Sequence, residues 1–359
     1  MMKKTLATLL SLTAAFALSA CGGSQTPGTE AAGSPPPSSQ ASQDAQTSAA
    51  GNSVEACTLT FSTTMSQGTT NVDYFDKALD LITEQSGGAI QFSRTYSGTL
   101  GGEHDLGVMC MDGDLDIVCV GPGNLADWDT AFQVFDCPFL FHDFDHYDAV
   151  LNDSAYQAWL DEKGAGLGIT FLMTGNQGFK GIINSKHAVH SPADLKDLKI
   201  RVPDSSSLIE IGAAMGYVPT PVAATDQYMS LSQGIIDGAD HSMVAHLNWK
   251  LTELAKYFTE TNHNLQSTFL FINREKLESL PPEYQEIILS ACSRMQDEMN
   301  KQTRTDAEES FSKAADEGVE IIPYSDVDVD AFKSALSEII TKYSAADEKL
   351  YQIIVEAGK

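Results

Sequence analysis

The sequence predicts an α/β protein built of two lobes, and three observations carry that reading. From Val54 onward, short β-rich runs alternate with segments of helical periodicity, the pattern of a mainly parallel sheet covered on both faces. The chain of 359 residues is long enough for two hydrophobic cores rather than one. Near its end, an amphipathic pattern opens at Pro281-Pro282-Glu283 and persists to about Ala315, longer than an average globular helix.

The elements follow in order. Lys3 and Lys4 precede an apolar, acid-free run from Leu6 to Ala20, too short to span a bilayer and laid out as an export signal. It closes Leu18-Ser19-Ala20-Cys21, which resembles the cleavage box of bacterial lipoproteins. That resemblance implies residues 1–20 as signal peptide and Cys21 as the lipidated first residue. The alternative is an ordinary signal with Cys21 as a spare thiol. Residues 22–53 are mostly Gly, Ser, Pro, Thr, Gln and Ala, a composition that buries too little surface to offset its ordering entropy. A disordered tether to a membrane is expected there.

Within the folded part, Cys57–Ser62, Ala89–Arg94 and Leu115–Val120 read as strands. Asp73–Gln85 reads as a helix with Tyr74, Ala78, Leu81 and Ile82 on one side, and another helix opens at Glu103. Further along, strands are expected around Phe179–Asn184, Lys199–Val202 and Thr268–Ile272, with helices at Ser206–Met215 and Ala224–Gln233. In the long helix, Tyr284, Ile287, Ile288, Ala291, Met295 and Met299 recur at helical spacing behind a proline suited to a first turn.

Charge narrows the partners. The formal charge is −27, and loss of Lys3 and Lys4 with the signal takes it to −29, which excludes nucleic acid on electrostatic grounds. Five arginines occur in the whole chain, at positions 94, 201, 274, 294 and 304. Cys57, Cys110, Cys119, Cys137 and Cys292 remain beside Cys21, allowing two disulfides and one buried thiol, or no disulfide. No cysteine or histidine spacing indicates a structural zinc site, and no cofactor is expected.

Arg201 stands out. It lies in Asp194-Leu-Lys-Asp-Leu-Lys-Ile-Arg-Val-Pro203, at the end of an expected strand, where a planar guanidinium suits two-point capture of a carboxylate. Four runs place it in context: Tyr96-Ser-Gly-Thr-Leu-Gly-Gly-Glu103, Asp136-Cys-Pro-Phe-Leu-Phe141, Gly178-Phe-Lys-Gly-Ile-Ile-Asn-Ser185, and Pro219-Thr-Pro-Val222 with Tyr228-Met-Ser-Leu-Ser-Gln-Gly-Ile-Ile-Asp-Gly238. In order and spacing, from about Thr58 to Ser290, they resemble the solute-binding subunits of TRAP (tripartite ATP-independent periplasmic) transporters, the DctP-like family.

The resemblance implies a two-lobed, periplasmic-binding-protein-like fold with mixed sheets, a central cleft and a long C-terminal helix spanning both lobes. It places lobe I at residues 54–178 plus about 266–305, lobe II at 179–265 plus about 306–335, and a C-terminal helical segment at 336–359. It implies a monomeric receptor for a small organic acid, closing on its ligand and docking on a membrane permease. The family's clamp maps onto Arg201, onto Lys180 where an arginine is usual, and onto His241 in Asp237-Gly-Ala-Asp-His241 where an asparagine is usual. Lysine keeps the charge but loses the fork; histidine donates with a charge set by pH. Glu103, Asp240 and Arg94 complete the expected site, the two acids favouring a hydroxylated monocarboxylate over a dicarboxylate.

Each has a structural alternative: a surface pair of Arg201 with Asp204, a solvated Lys180, a packing role for His241, a helix-capping role for Glu103. A rival function is an exported enzyme with a metal on His142 and His146, spaced i, i+4 with acids between, against a solvated face for both. An ATP-driven-transporter binding protein is the other alternative. No Gly-x-Ser-x-Gly elbow or phosphate loop is present.

Overall fold

The structure is a computed structural model and describes residues 56–359. The expected signal peptide, Cys21 and the linker lie outside the described residues. Along the chain run β1 (Cys57–Ser62), α1 (Thr70–Gln85), β2 (Ile90–Thr95), α2 (Glu103–Met111), β3 (Ile117–Val120), α3 (Pro122–Trp128), α4 (Phe144–Leu151), α5 (Ser154–Leu167) and β4 (Ile169–Phe179). Then follow β5 (Gly181–Asn184), β6 (Lys199–Val202), α6 (Ser206–Met215), β7 (Val218–Pro221), α7 (Gln227–Ser232), β8 (Gly238–His241), α8 (Met243–Asn248) and β9 (Tyr257–Thr259). The chain ends with β10 (Leu265–Asn273), α9 (Arg274–Ser279), α10 (Pro282–Asp316), β11 (Glu320–Ile322), α11 (Val329–Ala335), α12 (Ser337–Ser344) and α13 (Glu348–Ala357).

Two sheets form the lobes, one ordered β2-β1-β3-β10-β4 and the other β11-β9-β5-β8-β6-β7. Both are mixed, as the family resemblance implies and against the mainly parallel sheet read from the strand–helix alternation. The reason is a double crossing. β4 leaves the first sheet at Phe179 and β5 enters the second at Gly181, so β5 runs antiparallel to β8 and β9. β10 returns from the second lobe and lies antiparallel to both β3 and β4. Lys180 is the single residue between the sheets on the outward path, and its N–H donates to the carbonyl of Asn264 on the return path at 2.8 Å.

Packing follows the apolar pattern with small shifts. Helix α1 buries Val72, Phe75, Ala78, Leu79 and Ile82, while Tyr74 and Leu81 sit at the margin rather than at the centre of its face. Helix α10 is 35 residues long and starts at Pro282. It packs on α1 and β4 of the first lobe, and on α8 and β11 of the second. The aromatic core of the first lobe gathers Phe132, Phe135, Trp159, Phe171 and Phe269 at ring separations of 5.1–6.3 Å. Tyr343, Leu350 and Ile354 of α12 and α13 close its far side.

The described cysteines are all free thiols, which is the alternative without a disulfide; four of them are buried, and burial pushes Cys110, Cys137 and Cys292 up to about 12. His146 does not sit on a solvated face. Its Nδ1 accepts from the His142 N–H at 3.3 Å and its Nε2 lies 2.8 Å from the Ile354 carbonyl of α13, so both ring nitrogens are engaged by backbone. Among the described residues no cluster of His, Cys, Asp and Glu could hold a metal, and no helix is long and apolar enough to cross a membrane.

The centre of the second sheet needs glycine where strands approach closely. A Cβ on Gly238 would lie 2.0 Å from the Ile183 carbonyl oxygen, a backbone atom that cannot turn aside. Gly238→Ala is therefore expected to destabilise the protein by about 1–3 kcal/mol. Gly166→Ala, in α5 with open space around its Cβ, should stabilise by roughly 0.5–1 kcal/mol. Urea unfolding of the two variants checks the contrast, and equal midpoints would refute it.

Candidate binding site

The site is assembled where the two crossings meet the ends of β6 and β8. Arg201 is the third residue of β6, held between Thr220 of β7 and Ala239 of β8. Its residue surface is 3% exposed. Nε donates to the Val222 carbonyl at 2.9 Å, and the guanidinium carbon lies 5.9 Å from the centroid of the Trp249 ring. The terminal nitrogens have no hydrogen-bond or ion-pair partner among the described residues. No pair with Asp204 forms. Burial pushes Arg201 down to about 10, with Asp240 and Glu103 acting in the opposite sense, so it stays charged near neutrality.

Lys180, at the crossing, is also 3% exposed. It has no side-chain partner among the described residues, and its charge acts on two buried acids, Asp136 and Asp240. Asp240 is committed internally on one oxygen. Its Oδ2 accepts from the Tyr217 hydroxyl at 2.7 Å and lies 3.3 Å from His263 Nε2, close enough for an ion pair but not aligned as a hydrogen bond. Its Oδ1 is buried without a partner. Burial alone would raise this carboxyl; His263, Lys180 and the tyrosine outweigh it and hold it below the usual carboxylate range.

His241 ends β8 and is buried. Its Nδ1 accepts from the Ser242 N–H at 2.8 Å, which leaves the ring proton on Nε2. Burial, then the neighbouring charges of Lys180, His246 and Arg201, drive its pKa well below the ordinary imidazole value. The histidine is thus a neutral donor, chemically close to the amide it replaces. Its ring meets Trp249 edge-on at 5.0 Å and His246 at 6.3 Å.

Glu103 opens α2 yet does not cap it. Its carboxylate accepts from the Gly121 N–H (2.8 Å), Asn124 Nδ2 (2.9 Å) and the Thr64 hydroxyl (3.2 Å), tying the loops after β1 and β3 together. Burial raises its pKa, while those bonds and Arg201 pull it back. Arg94 is not brought into the cluster. It lies on the outer strand β2, where Asp76 and Asp80 of α1 neutralise it.

Sequence reasoning missed four members: Asp136, Tyr217, His263 and Trp249. Asp136 is buried and accepts from the Ser207 hydroxyl of α6 at 2.6 Å, a bond between the lobes. Only Asp136 left a signal, an acid at the head of an otherwise apolar run. The cluster lies beside a cavity of about 220 Å³ that shares Trp249 and Ser242 with it but is not lined by Arg201 or Lys180. The buried cations therefore sit behind the open space rather than in it.

His246, in α8, is fully buried with neither ring nitrogen in hydrogen-bonding geometry; the Gly181 and His241 carbonyls are the nearest acceptors. Burial lowers its pKa from 6.5 to about 4. Between those values the unfolded chain binds the extra proton, so folding stability is complete above about pH 6.5 and declines as pH falls toward 4. Urea unfolding at pH 7.5 and 4.5 should show wild type losing about 2–3 kcal/mol more than His246→Leu. An equal loss in both proteins would exclude this buried imidazole as the source.

The sequence and fold both have relatives. The family described as "Bacterial extracellular solute-binding protein, family 7" matches residues 61–347. The 2,3-diketo-L-gulonate-binding periplasmic protein YiaO of Escherichia coli K12 is 28% identical over 257 residues, 72% of this chain and 77% of that protein. The sialic acid-binding periplasmic protein SiaP of Vibrio cholerae is 24% identical over 308 residues, 86% of this chain and 94% of that one. A TRAP periplasmic solute-binding protein from Sulfitobacter sp. NAS-14.1, solved with bound β-D-galacturonate, shares the fold at a TM-score of 0.75 and 24% identity, covering 84% of this chain and 99% of that chain. With four-fifths of its length inside the family match, the chain belongs to the family 7 bacterial extracellular solute-binding proteins, the solute-binding subunits of TRAP transporters.

Proposed function

We propose that this protein captures a small hydroxylated monocarboxylate between its lobes and delivers it to a TRAP-type membrane permease. The observation that carries the reading is Arg201: a buried guanidinium with one internal hydrogen bond and two terminal nitrogens without partners. A carboxylate is the group that fits them in two-point geometry. Lys180 adds charge, and neutral His241 offers its Nε2–H to a ligand oxygen. Asp240 and Glu103 stand against a second carboxylate, in keeping with relatives that bind a keto sugar acid, a sialic acid or a uronate.

Closure follows from the same geometry. Arg201 and His241 belong to the second sheet, Glu103 and Asp136 to the first lobe, and Lys180 to the crossing between them. A ligand bridging them favours the closed arrangement by its differential contacts. In this reading the chain acts as a monomeric receptor without a cofactor, not an enzyme, tethered outside the cytoplasm by a lipid on Cys21 and residues 22–53.

A thermal-shift screen of organic acids followed by calorimetry tests the assignment. Arg201→Ala is expected to weaken acid binding at least about thirtyfold (~2 kcal/mol), and Arg201→Lys to weaken it as well because the fork is lost. Unchanged affinity in Arg201→Ala would remove this residue from the site. Succinate binding more tightly than a uronate would refute the monocarboxylate preference.

A further inference from the structure

The cavity beside Trp249 has a chemistry of its own. Its volume, about 220 Å³, suits a molecular fragment rather than a lone water, which needs on the order of 10–15 Å³. Its walls come from both lobes: the loop before α1 and the end of β4 on one side, Thr225 and the end of α8 on the other. Hydroxyl and amide side chains dominate the lining, and no lysine, arginine or histidine reaches it.

Several of these groups lack partners. Thr303 Oγ1, on α10, is buried in a residue 4% exposed and has no hydrogen-bond partner. The side-chain amides of Gln177 and Asn248 make no hydrogen bond to any described residue. The one ionisable group in the lining, Asp306, already accepts from Thr70 and from Gln302 at 2.9 Å. A carboxylate with no cation in the cavity lining repels a second anion there. The buried Thr303 hydroxyl, the half-buried Gln177 amide and the exposed Asn248 amide, each able to donate and accept, match the hydroxyls of a neutral sugar. Trp249 supplies an apolar wall, with Arg201 and His241 packed around its ring.

We propose that this cavity is a second ligand subsite, which receives a neutral, hydroxyl-rich extension of the acid held at Arg201. The ligand class is then a glycosylated sugar acid, one neutral sugar unit longer than a simple uronate. The inference rests on the carboxylate reading of Arg201, and it adds that closure is driven from two places. The extension touches the first lobe through Thr303 and Gln177 and the second through Asn248.

Calorimetry with three probes separates the possibilities: D-galacturonate, an aldobiuronate carrying a neutral hexose on that uronate, and a diuronate carrying a second carboxylate in its place. The aldobiuronate is expected to bind at least about tenfold more tightly than galacturonate, and the diuronate to show no such gain. Asn248→Ala and Thr303→Val should abolish the tenfold gain while leaving galacturonate affinity unchanged. Galacturonate binding with no gain for the aldobiuronate, or a gain that survives both substitutions, overturns the second subsite and leaves the acid receptor standing. Binding of neither acid overturns both.

Discussion

The structure depends on a buried guanidinium that the protein does not neutralise by itself. Removing an ionised group from water costs several kcal/mol unless charge and hydrogen bonds are restored around it. Arg201 receives one backbone carbonyl, and the acids nearest to it in effect, Asp240 and Glu103, are engaged elsewhere: one with Tyr217 and His263, the other with two loops of the first lobe. The positive charge is left partly uncompensated at a buried position. Under the proposed reading, the ligand carboxylate completes that environment, and stability missing from the empty closed form becomes binding free energy.

The backbone places this charge through its double crossing. Because one residue separates β4 from β5, Lys180 cannot belong to either sheet and stands between them. The Lys180–Asn264 bond clips the outward and return strands together at that point, and His263 rides on the return path beside Asp240. The same connection makes both sheets mixed. Helix α10 spans the lobes with a buried face that is apolar from Tyr284 to Met299 and polar at Asn300, Thr303 and Ser310 before Ala314. A motion that separates the lobes is therefore limited to these few connecting segments.

Much of the fold is legible in the residues. β1, β6, α6 and the long helix carry clear residue patterns, and their bounds agree closely with the structure. β4 is the informative failure. Its second half, Thr174-Gly-Asn-Gln-Gly178, is polar and glycine-rich and carries no strand pattern, yet it pairs with β10 almost throughout. Tertiary pairing overrides propensity there. Arg201, Lys180, Asp240 and His241 come together because they flank two strand ends, which spacing alone can suggest. His263 joins them only through the return crossing and Tyr217 and Trp249 only through packing within the second lobe, while Arg94 is drawn away by Asp76 and Asp80, one turn apart on α1.

The substitutions at the clamp have a common electrostatic sense. Lysine at position 180 keeps a positive charge and, buried beside Asp136 and Asp240, offsets two acids rather than one. Histidine at 241 would add a third cation if protonated, but burial and the adjacent lysine and arginine forbid that, so it contributes a dipole only. The cluster thus sets two cations, Arg201 and Lys180, against three carboxylates that are already hydrogen-bonded elsewhere, and the terminal nitrogens of Arg201 remain without a partner among the described residues for one incoming negative charge. A second carboxylate would meet Asp240 on one side and Asp306 beyond Trp249 on the other, whereas hydroxyl groups would meet unpaired acceptors and donors. Selectivity for a singly charged, hydroxyl-rich acid then arises less from the contact made at Arg201 than from the acids arranged around it.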